Sequence, residues 1–273
     1  MTAFLCPLCG EPLEPRENGL GCGRGHTFDK ARSGYVNLLP VSGKHAKIPG
    51  DNKLMVNARR DFLEKGYYAP FAQAVAAAAV RHLAGREKPV LLDAGCGEGY
   101  YTAALAEALA PRKPEILAVD ISKFAADKCA KRCKDVRCAV ASVYHLPVGT
   151  ESCDGVVSLF APYCGEEYRR VLKPGGVFLM GIPGRFHLWE LKEALYDQPY
   201  ENEVRDYALE GFAFLESIPV EGRIFLPCNE DIRNLFSMTP YYYKSGVDTD
   251  EKLRALERLE TRMEFQVLVY RKA

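Results

Sequence analysis

No stretch of this 273-residue chain approaches the ~20 consecutive apolar residues that span a bilayer; the Ala-rich segment 72–80 is short and runs into Arg81 and His82. A helical membrane protein is thereby excluded. No secretory leader is expected, since the N-terminal residues run straight into a cysteine motif, and a cytoplasmic protein is the expectation. In that compartment its ten cysteines are not expected to pair as disulfides. Charge of one sign is lacking as well: Lys+Arg and Asp+Glu are both 36, which leaves no global basic field. There is no internal repeat and no low-complexity tract. The G-x-G-x-x-G spacing of dinucleotide sites is absent too, because position 100 is Tyr.

What the chain does have is a hydrophobic content of 48%, enough for one large domain, or for a domain plus a small module. The charges are unevenly divided. Residues 1–60 carry nine Lys/Arg against five acids, a net +4, which leaves −4 for the remainder. A local positive region of this kind suits a polyanionic partner, though an ordinary solvated face has the same composition.

Near the N-terminus, Cys6, Cys9, Cys22 and His26 are spaced C-x2-C-x12-C-x3-H. Two thiolates two residues apart grip one side of a metal ion, and the Cys22/His26 pair closes a tetrahedron. Three soft thiolates and one imidazole favour zinc, and four protein ligands leave no open position for chemistry. The expected role is structural, because so short a segment has little core and needs a staple. Cys96, Cys129, Cys133, Cys138, Cys153, Cys164 and Cys228 show no ligand spacing and read as small buried hydrophobes.

The second feature is Leu91-Leu92-Asp93-Ala94-Gly95-Cys96-Gly97-Glu98-Gly99. An apolar run ends at Asp93, turns through glycines at alternate positions and enters a helical pattern near Tyr100. Such a turn lets backbone approach a ligand at the carboxyl end of a strand. Twenty-one residues after Gly99, Asp120 ends a second apolar run, where a carboxylate accepts the two hydroxyls of a ribose. The D-x-G-x-G-x-G pattern suits a nucleoside ligand without a pyrophosphate, such as S-adenosylmethionine.

Strands are expected at 90–94, 115–120, 136–141, 154–160 and 176–182, and helices near 56–65, 69–84, 100–110, 122–134 and 164–172. This alternation is that of an α/β, doubly wound, mainly parallel sheet. Beyond it the pattern predicts a helix near 187–197, a strand near 223–227, helices near 229–238 and 250–262, and a last strand at 264–270. Residues 41–55 read as a polar linker or substrate loop, and the domains divide into a module at 1–45 and a larger domain at 46–273.

These residues resemble the class I methyltransferases: Asp93–Gly97 resembles their first motif, Asp120 the acid of their second, and Leu172-Lys173-Pro174-Gly175-Gly176 the approach to their fifth strand. The N-terminal module is more specific. Cys6-Pro7-Leu8-Cys9, the Cys22/His26 pair, Gly34-Tyr35-Val36-Asn37-Leu38-Leu39-Pro40 and Ala58-Arg59-Arg60-Asp61-Phe62-Leu63 resemble the RlmA family of bacterial 23S ribosomal RNA guanine-N1 methyltransferases, from Cys6 to about Leu191. The resemblance implies a seven-stranded Rossmann-like methyltransferase sheet with a small zinc-binding module that helps recognise an RNA hairpin. It implies structural zinc on Cys6, Cys9, Cys22 and His26, and S-adenosylmethionine as the methyl donor. Cofactor contacts are expected from Tyr68, Asp93, Gly95, Gly97, Glu98, Gly99, Asp120 and His187. The implied partner is a 23S ribosomal RNA hairpin, with no membrane and with room for a homodimer. Packing roles for Tyr68 and a helix-capping role for His187 stay open.

Methyl transfer from a sulfonium needs alignment and a dry pocket more than acid–base help, although the N1 proton of guanine must find an acceptor. No residue is singled out as that base. After the fourth strand, Leu159-Phe160-Ala161-Pro162-Tyr163 lacks the Asn or Asp usual in exocyclic-amine methylation, which leaves room for a ring nitrogen as target; Tyr163 reads equally as a base-stacking or a core residue. RNA phosphate candidates are Arg16, Arg24, Lys30, Arg32, Lys44, Lys47, Arg59 and Arg60. Two other readings remain: a methyltransferase of small molecules, and a non-catalytic RNA-binding protein of the same fold.

Overall fold

A computed structural model of the chain describes residues 4–40, 50–203, 207–244 and 247–273. Most of the expected linker, with the RNA candidates Lys44 and Lys47, lies outside them. The head of the molecule is a three-stranded antiparallel sheet of β1 (Glu14–Arg16), β2 (Gly19–Gly21) and β3 (Thr27–Asp29). The chain then gives one two-residue strand, β4 (Val36–Asn37), to the edge of the main sheet.

Two helices follow. In α1 (Lys53–Glu64) the Asn52 side chain accepts from the backbone N–H groups of Leu54 and Met55, which fixes the start. The Ala-rich α2 (Ala69–His82) has Pro70 in its first turn, where the missing N–H costs nothing. The alternation then runs β5 (Val90–Ala94), α3 (Tyr100–Leu109), β6 (Glu115–Asp120), α4 (Lys123–Arg132), β7 (Arg137–Val140), β8 (Cys153–Leu159), α5 (Gly165–Val171) and β9 (Leu172–Pro183). It ends with α6 (Trp189–Leu195), β10 (Phe212–Leu226), α7 (Asn229–Ser237), α8 (Val247–Ala255) and β11 (Leu259–Lys272).

The main sheet has the order β10-β11-β9-β8-β5-β6-β7-β4. Its β4, β7, β6, β5, β8 and β9 are mutually parallel, and β11 and β10 are antiparallel. Seven strands are those expected of the methyltransferase sheet; the eighth, β4, comes from the head. Because strand side chains alternate, the sheet feeds two cores. Leu91, Val157 and Val267 face one that includes Phe62, Phe71, Leu105, Leu191, Leu235 and Phe265. Leu92, Val156 and Leu268 face the other, with Tyr168, Phe178 and Tyr270. This second core also takes Phe4, Leu13, Val36 and Leu38 from the head. Leu5 N–H donates to the Pro147 carbonyl (2.8 Å) and Leu38 N–H to that of Val140 (2.9 Å). The head is thus a covering layer of the sheet.

The largest departures from expectation are in the last third of the chain. The strand expected at 223–227 begins at Phe212, and the helix expected to reach residue 262 ends at Ala255, after which Leu259 starts β11. The edge strand β10 keeps Glu221 and Arg223 outward and carries Pro219, so its pattern reads as polar loop. Pairing along its whole length with β11 overrides the charge-rich, helix-like composition of residues 256–262.

Candidate active site and metal centre

In the head, Cys6, Cys9, Cys22 and His26 bring one ligand atom each within 4.8 Å of one another. Two tight turns do this: Gly10 N–H donates to the Cys6 carbonyl (2.8 Å), and Gly25 N–H to that of Cys22 (3.1 Å). Sγ of Cys9 and Cys22 are 3.7 Å apart, and His26 Nδ1 lies 3.5 Å from Cys6 Sγ and 3.4 Å from Cys22 Sγ. Zinc bonds of about 2.3 Å to sulfur and 2.0 Å to nitrogen give a tetrahedron with edges of roughly 3.8 and 3.5 Å. The four side chains therefore fit zinc with Nδ1 as the imidazole ligand. Among the described residues no other Cys, His, Asp or Glu group has such a geometry.

The second site lies where β5 ends. Gly95, Gly97 and Gly99 have φ of 93°, 54° and 88°, a left-handed turn that side chains resist. A Cβ on Gly95 would come within 2.4 Å of Ala161 Cβ, and one on Gly99 within 2.9 Å of the Cys129 backbone, whereas one on Gly97 would enter open space. Gly95 and Gly99 are thus demanded by packing, and Gly97 faces the crevice. Asp120, at the end of β6, holds the loop from the side: Oδ2 accepts from Gly97 N–H (2.9 Å) and Oδ1 from Ser122 N–H (2.8 Å). Burial pushes its pKa up. Two N–H donors leave lone pairs free on the carboxylate for further hydroxyls.

Glu98 is the second acid of the loop. Its side chain is 1% exposed and 2.8 Å from Arg132 Nη2, yet neither oxygen receives an aligned hydrogen bond. Burial raises its pKa against the pull of Arg132. A buried carboxylate with unmet acceptor capacity, beside an open glycine and a ribose-type acid, fits the hydroxyl and ammonium donors of S-adenosylmethionine. Asp93 is different. It is buried, accepts from Thr102 Oγ1 (2.6 Å), and burial raises it to about 7. Its visible contact is with the first turn of α3.

Tyr68 and His187 meet each other. Tyr68 Oη is 3.3 Å from His187 Nε2, and His187 Nδ1 accepts from Glu264 N–H (3.2 Å). That acceptor role makes His187 the neutral Nε2–H tautomer, and burial, with the Lys192 charge, lowers its pKa to about 3. Both pack on Phe265, whose ring centre is 4.8 Å from Tyr68, 4.2 Å from His187, 4.6 Å from Phe71 and 5.1 Å from Phe160. Phe71 continues this wall to Tyr101 at 5.6 Å, two residues beyond Gly99. Both residues are deeply buried, so their connection to the glycine loop runs through the wall.

The basic candidates divide. Arg59 pairs with Asp51 and reaches the Met238 carbonyl (3.3 Å), while Ser122 Oγ donates to the Asp51 carbonyl (2.6 Å). Arg59 is therefore a clamp over the end of β6, its guanidinium already engaged by Asp51 and the Met238 carbonyl. Arg24 is paired with Glu11 and Arg60 with Asp61. Arg16, Lys30 and Arg32 are exposed on the head and form no ion pair among the described residues. Sequence reading does not single out Phe265, Phe160 or the Asp51–Arg59 pair as site features. The available signals are an aromatic directly after a strand end and an acid eight residues before an arginine.

All ten cysteines are free. Four gather behind the glycine loop: Cys138 Sγ is 3.5 Å from Cys129 Sγ, Cys133 Sγ faces the Gly99 carbonyl and Cys96 Sγ that of Gly97. The hydrogen-bonding neighbour Cys129, and then burial, push up the thiols of Cys96 and Cys133. They pack as small apolar groups, as the sequence implied.

Residues 4–47 match the family described as RlmA, N-terminal, and residues 91–176 the family described as Methyltransferase domain. The chain is 37% identical over 191 residues to the 23S rRNA (guanine(748)-N(1))-methyltransferase of Streptomyces fradiae, covering 70% of this chain and 66% of that one. It is 32% identical over 275 residues, 98% of this chain and 96% of the other, to YxjB of Bacillus subtilis (strain 168), which bears a 23S rRNA (guanine-N(1)-)-methyltransferase name provisionally. A magnesium protoporphyrin IX methyltransferase from Synechocystis PCC 6803 is 14% identical with a TM-score of 0.47, over 78% of this chain and 87% of that one. With the zinc ribbon, the glycine loop and near-complete overlap with the Bacillus relative in hand, the chain belongs to the RlmA-type 23S rRNA (guanine-N1)-methyltransferase family of S-adenosylmethionine-dependent enzymes.

Proposed function

We propose that the enzyme methylates N1 of one guanine in a hairpin loop of 23S ribosomal RNA, with the zinc-bound head (1–45) contacting the RNA and the sheet domain (46–273) holding the methyl donor. The observation that carries this reading is the joining of the two sites: the head packs into the core behind β6 and β7, next to the strand end that bears Asp120. S-Adenosylmethionine supplies an activated methyl group on a sulfonium.

The protein residues align and shield. Asp120 takes the ribose hydroxyls while holding Gly97 in place, and Gly97 leaves room for the cofactor backbone. Glu98, paired on one side with Arg132, accepts the remaining donors. Gly95 and Gly99 give the loop its shape, and Asp93 braces it through Thr102. Tyr68 and His187 act from behind as the base of the aromatic wall. Asp93, Glu98 and Asp120 all have raised basicity, but each is committed to the loop or to the donor, so solvent is the acceptor of the N1 proton in this reading. Arg16, Lys30 and Arg32 meet phosphates. A ribosomal substrate makes the cytoplasm the workplace, and among the described residues no helix is long and apolar enough to cross a membrane.

Incubation with labelled donor and either ribosomal RNA or a metabolite extract tests the proposal. Label in RNA alone is expected. Label in a metabolite and none in RNA would favour the small-molecule reading, and label in neither the non-catalytic one.

A further inference from the structure

The target guanine still has no partner. Phe160, the residue directly after β8, has φ of 57°, a left-handed conformation in which a bulky aromatic is an outlier. Residues kept in such conformations cluster at functional sites, where the surroundings over-determine them. Phe160 N–H donates to the Gly181 carbonyl (3.2 Å), and the next residue, Ala161, lies against Gly95 of the cofactor loop. The ring is therefore fixed next to the crevice from both sides.

Its surroundings are asymmetric. Phe71 and Phe265, at 5.2 and 5.1 Å, are fully buried and back the ring, and Tyr101 stands at 6.3 Å. Phe160 itself is 46% exposed. It is the open end of a wall that is otherwise closed. Tyr163, the other exposed aromatic of the same loop, leans the other way, on Tyr168 and Phe178 of the opposite core.

We propose that the exposed face of Phe160 stacks on the guanine that receives the methyl group; this rests on the RNA reading above. Stacking grips a base by its face and leaves its hydrogen-bonding edge uncovered, which is what attack through N1 requires. An Asn or Asp at this position would instead engage the exocyclic amine. A ring held from behind by buried aromatics presents that face without having to order itself first.

The test is a set of substitutions at one position: Phe160→Ala, Phe160→Leu, Phe160→Gly, Phe160→Tyr and Phe160→Trp. For each, kcat/KM toward ribosomal RNA and Kd for S-adenosylmethionine are measured. Loss of one base–aromatic stack predicts a fall of roughly 5- to 100-fold in kcat/KM for Ala, Leu and Gly. Tyr and Trp should stay within a few-fold of the parent, and donor Kd should stay within twofold throughout. Gly separates strain from stacking, since it suits the left-handed backbone yet has no ring. Equal activity of the Leu and Tyr variants, or a loss of donor affinity that tracks the loss of rate, would overturn the stacking role while the RNA reading stands. A parent enzyme that leaves RNA unmodified would overturn both.

Discussion

The head and the sheet domain hold their shapes by different means. In the head, β1 to β3 are three residues each and β1 is wholly exposed; its apolar side chains, Phe4, Leu13, Val36 and Leu38, are spent on the sheet. Cys6, Cys9, Cys22 and His26 hold the rest. The sheet domain has two continuous cores and needs no staple. Burial of each large apolar side chain contributes about 1.5–3 kcal/mol, so four of them dock the head but do not fold its turns. In the proposed function the roles divide in the same way although the two parts share a core: the metal-held head handles RNA, and the apolar sheet holds the donor site.

The sharpest way to break that comparison is Cys22→Ser. Structural zinc in small modules is worth about 10–16 kcal/mol of folding free energy, so loss of one ligand should strip the metal. Zinc is expected to fall from one equivalent to a small fraction by metal analysis. RNA methylation should drop at least 100-fold while donor Kd changes less than threefold. Equal loss of both would mean the parts are one functional unit.

Asp120→Ala attacks the other side. The Gly97 and Ser122 N–H groups, and in the proposed complex the two ribose hydroxyls, lose a charged acceptor, and charge-assisted bonds are worth about 1.5–3 kcal/mol each. Donor binding by calorimetry should weaken by roughly 10- to 100-fold, with zinc content unchanged. Unaltered affinity would remove the ribose role.

A smaller effect separates free from clamped arginines. Each phosphate contact to single-stranded nucleic acid contributes about 0.7 to the slope of log K against log salt. Replacing Arg16, Lys30 and Arg32 together with Ala should lower that slope by about 2. Arg59→Ala should leave it unchanged, because Asp51 and the Met238 carbonyl already occupy the guanidinium. A slope that falls with Arg59 alone would return it to the RNA surface.

The last contrast is one of pH. The Asp93 carboxyl rises from 3.8 to about 7 on burial, so the folded state binds its proton more tightly than the unfolded state does. Below pH 4 both states are protonated and the cost is nil. It grows as pH rises from about 4 to about 7 and is constant above. Asp93→Asn lacks it, so the variant should gain stability relative to the parent across that window, read from melting temperatures. A pH-independent difference would show that Asp93 is not held neutral.

Much of this was legible because the signals are local. The strand 90–94 and the strand 115–120 appear where their apolar runs predict, each bounded by a turn or an acid. The four metal ligands announce themselves by spacing, since short knuckles allow few other geometries. What sequence hid depends on partners far along the chain. β10 is recognisable only from its pairing with β11, and Arg59 only from Asp51 and Met238 meeting over Ser122. Tyr68 and His187, 119 residues apart, meet in a contact that no periodicity records.

The most direct test of the account is to map the methyl group. Reverse transcription across 23S ribosomal RNA treated with enzyme and donor, together with mass analysis of the nucleosides, should show one new stop at a single loop guanine and one equivalent of N1-methylguanine, because a methyl at N1 blocks the pairing edge. Methyl found on an exocyclic amine, on several scattered guanines, or nowhere in the RNA would contradict it.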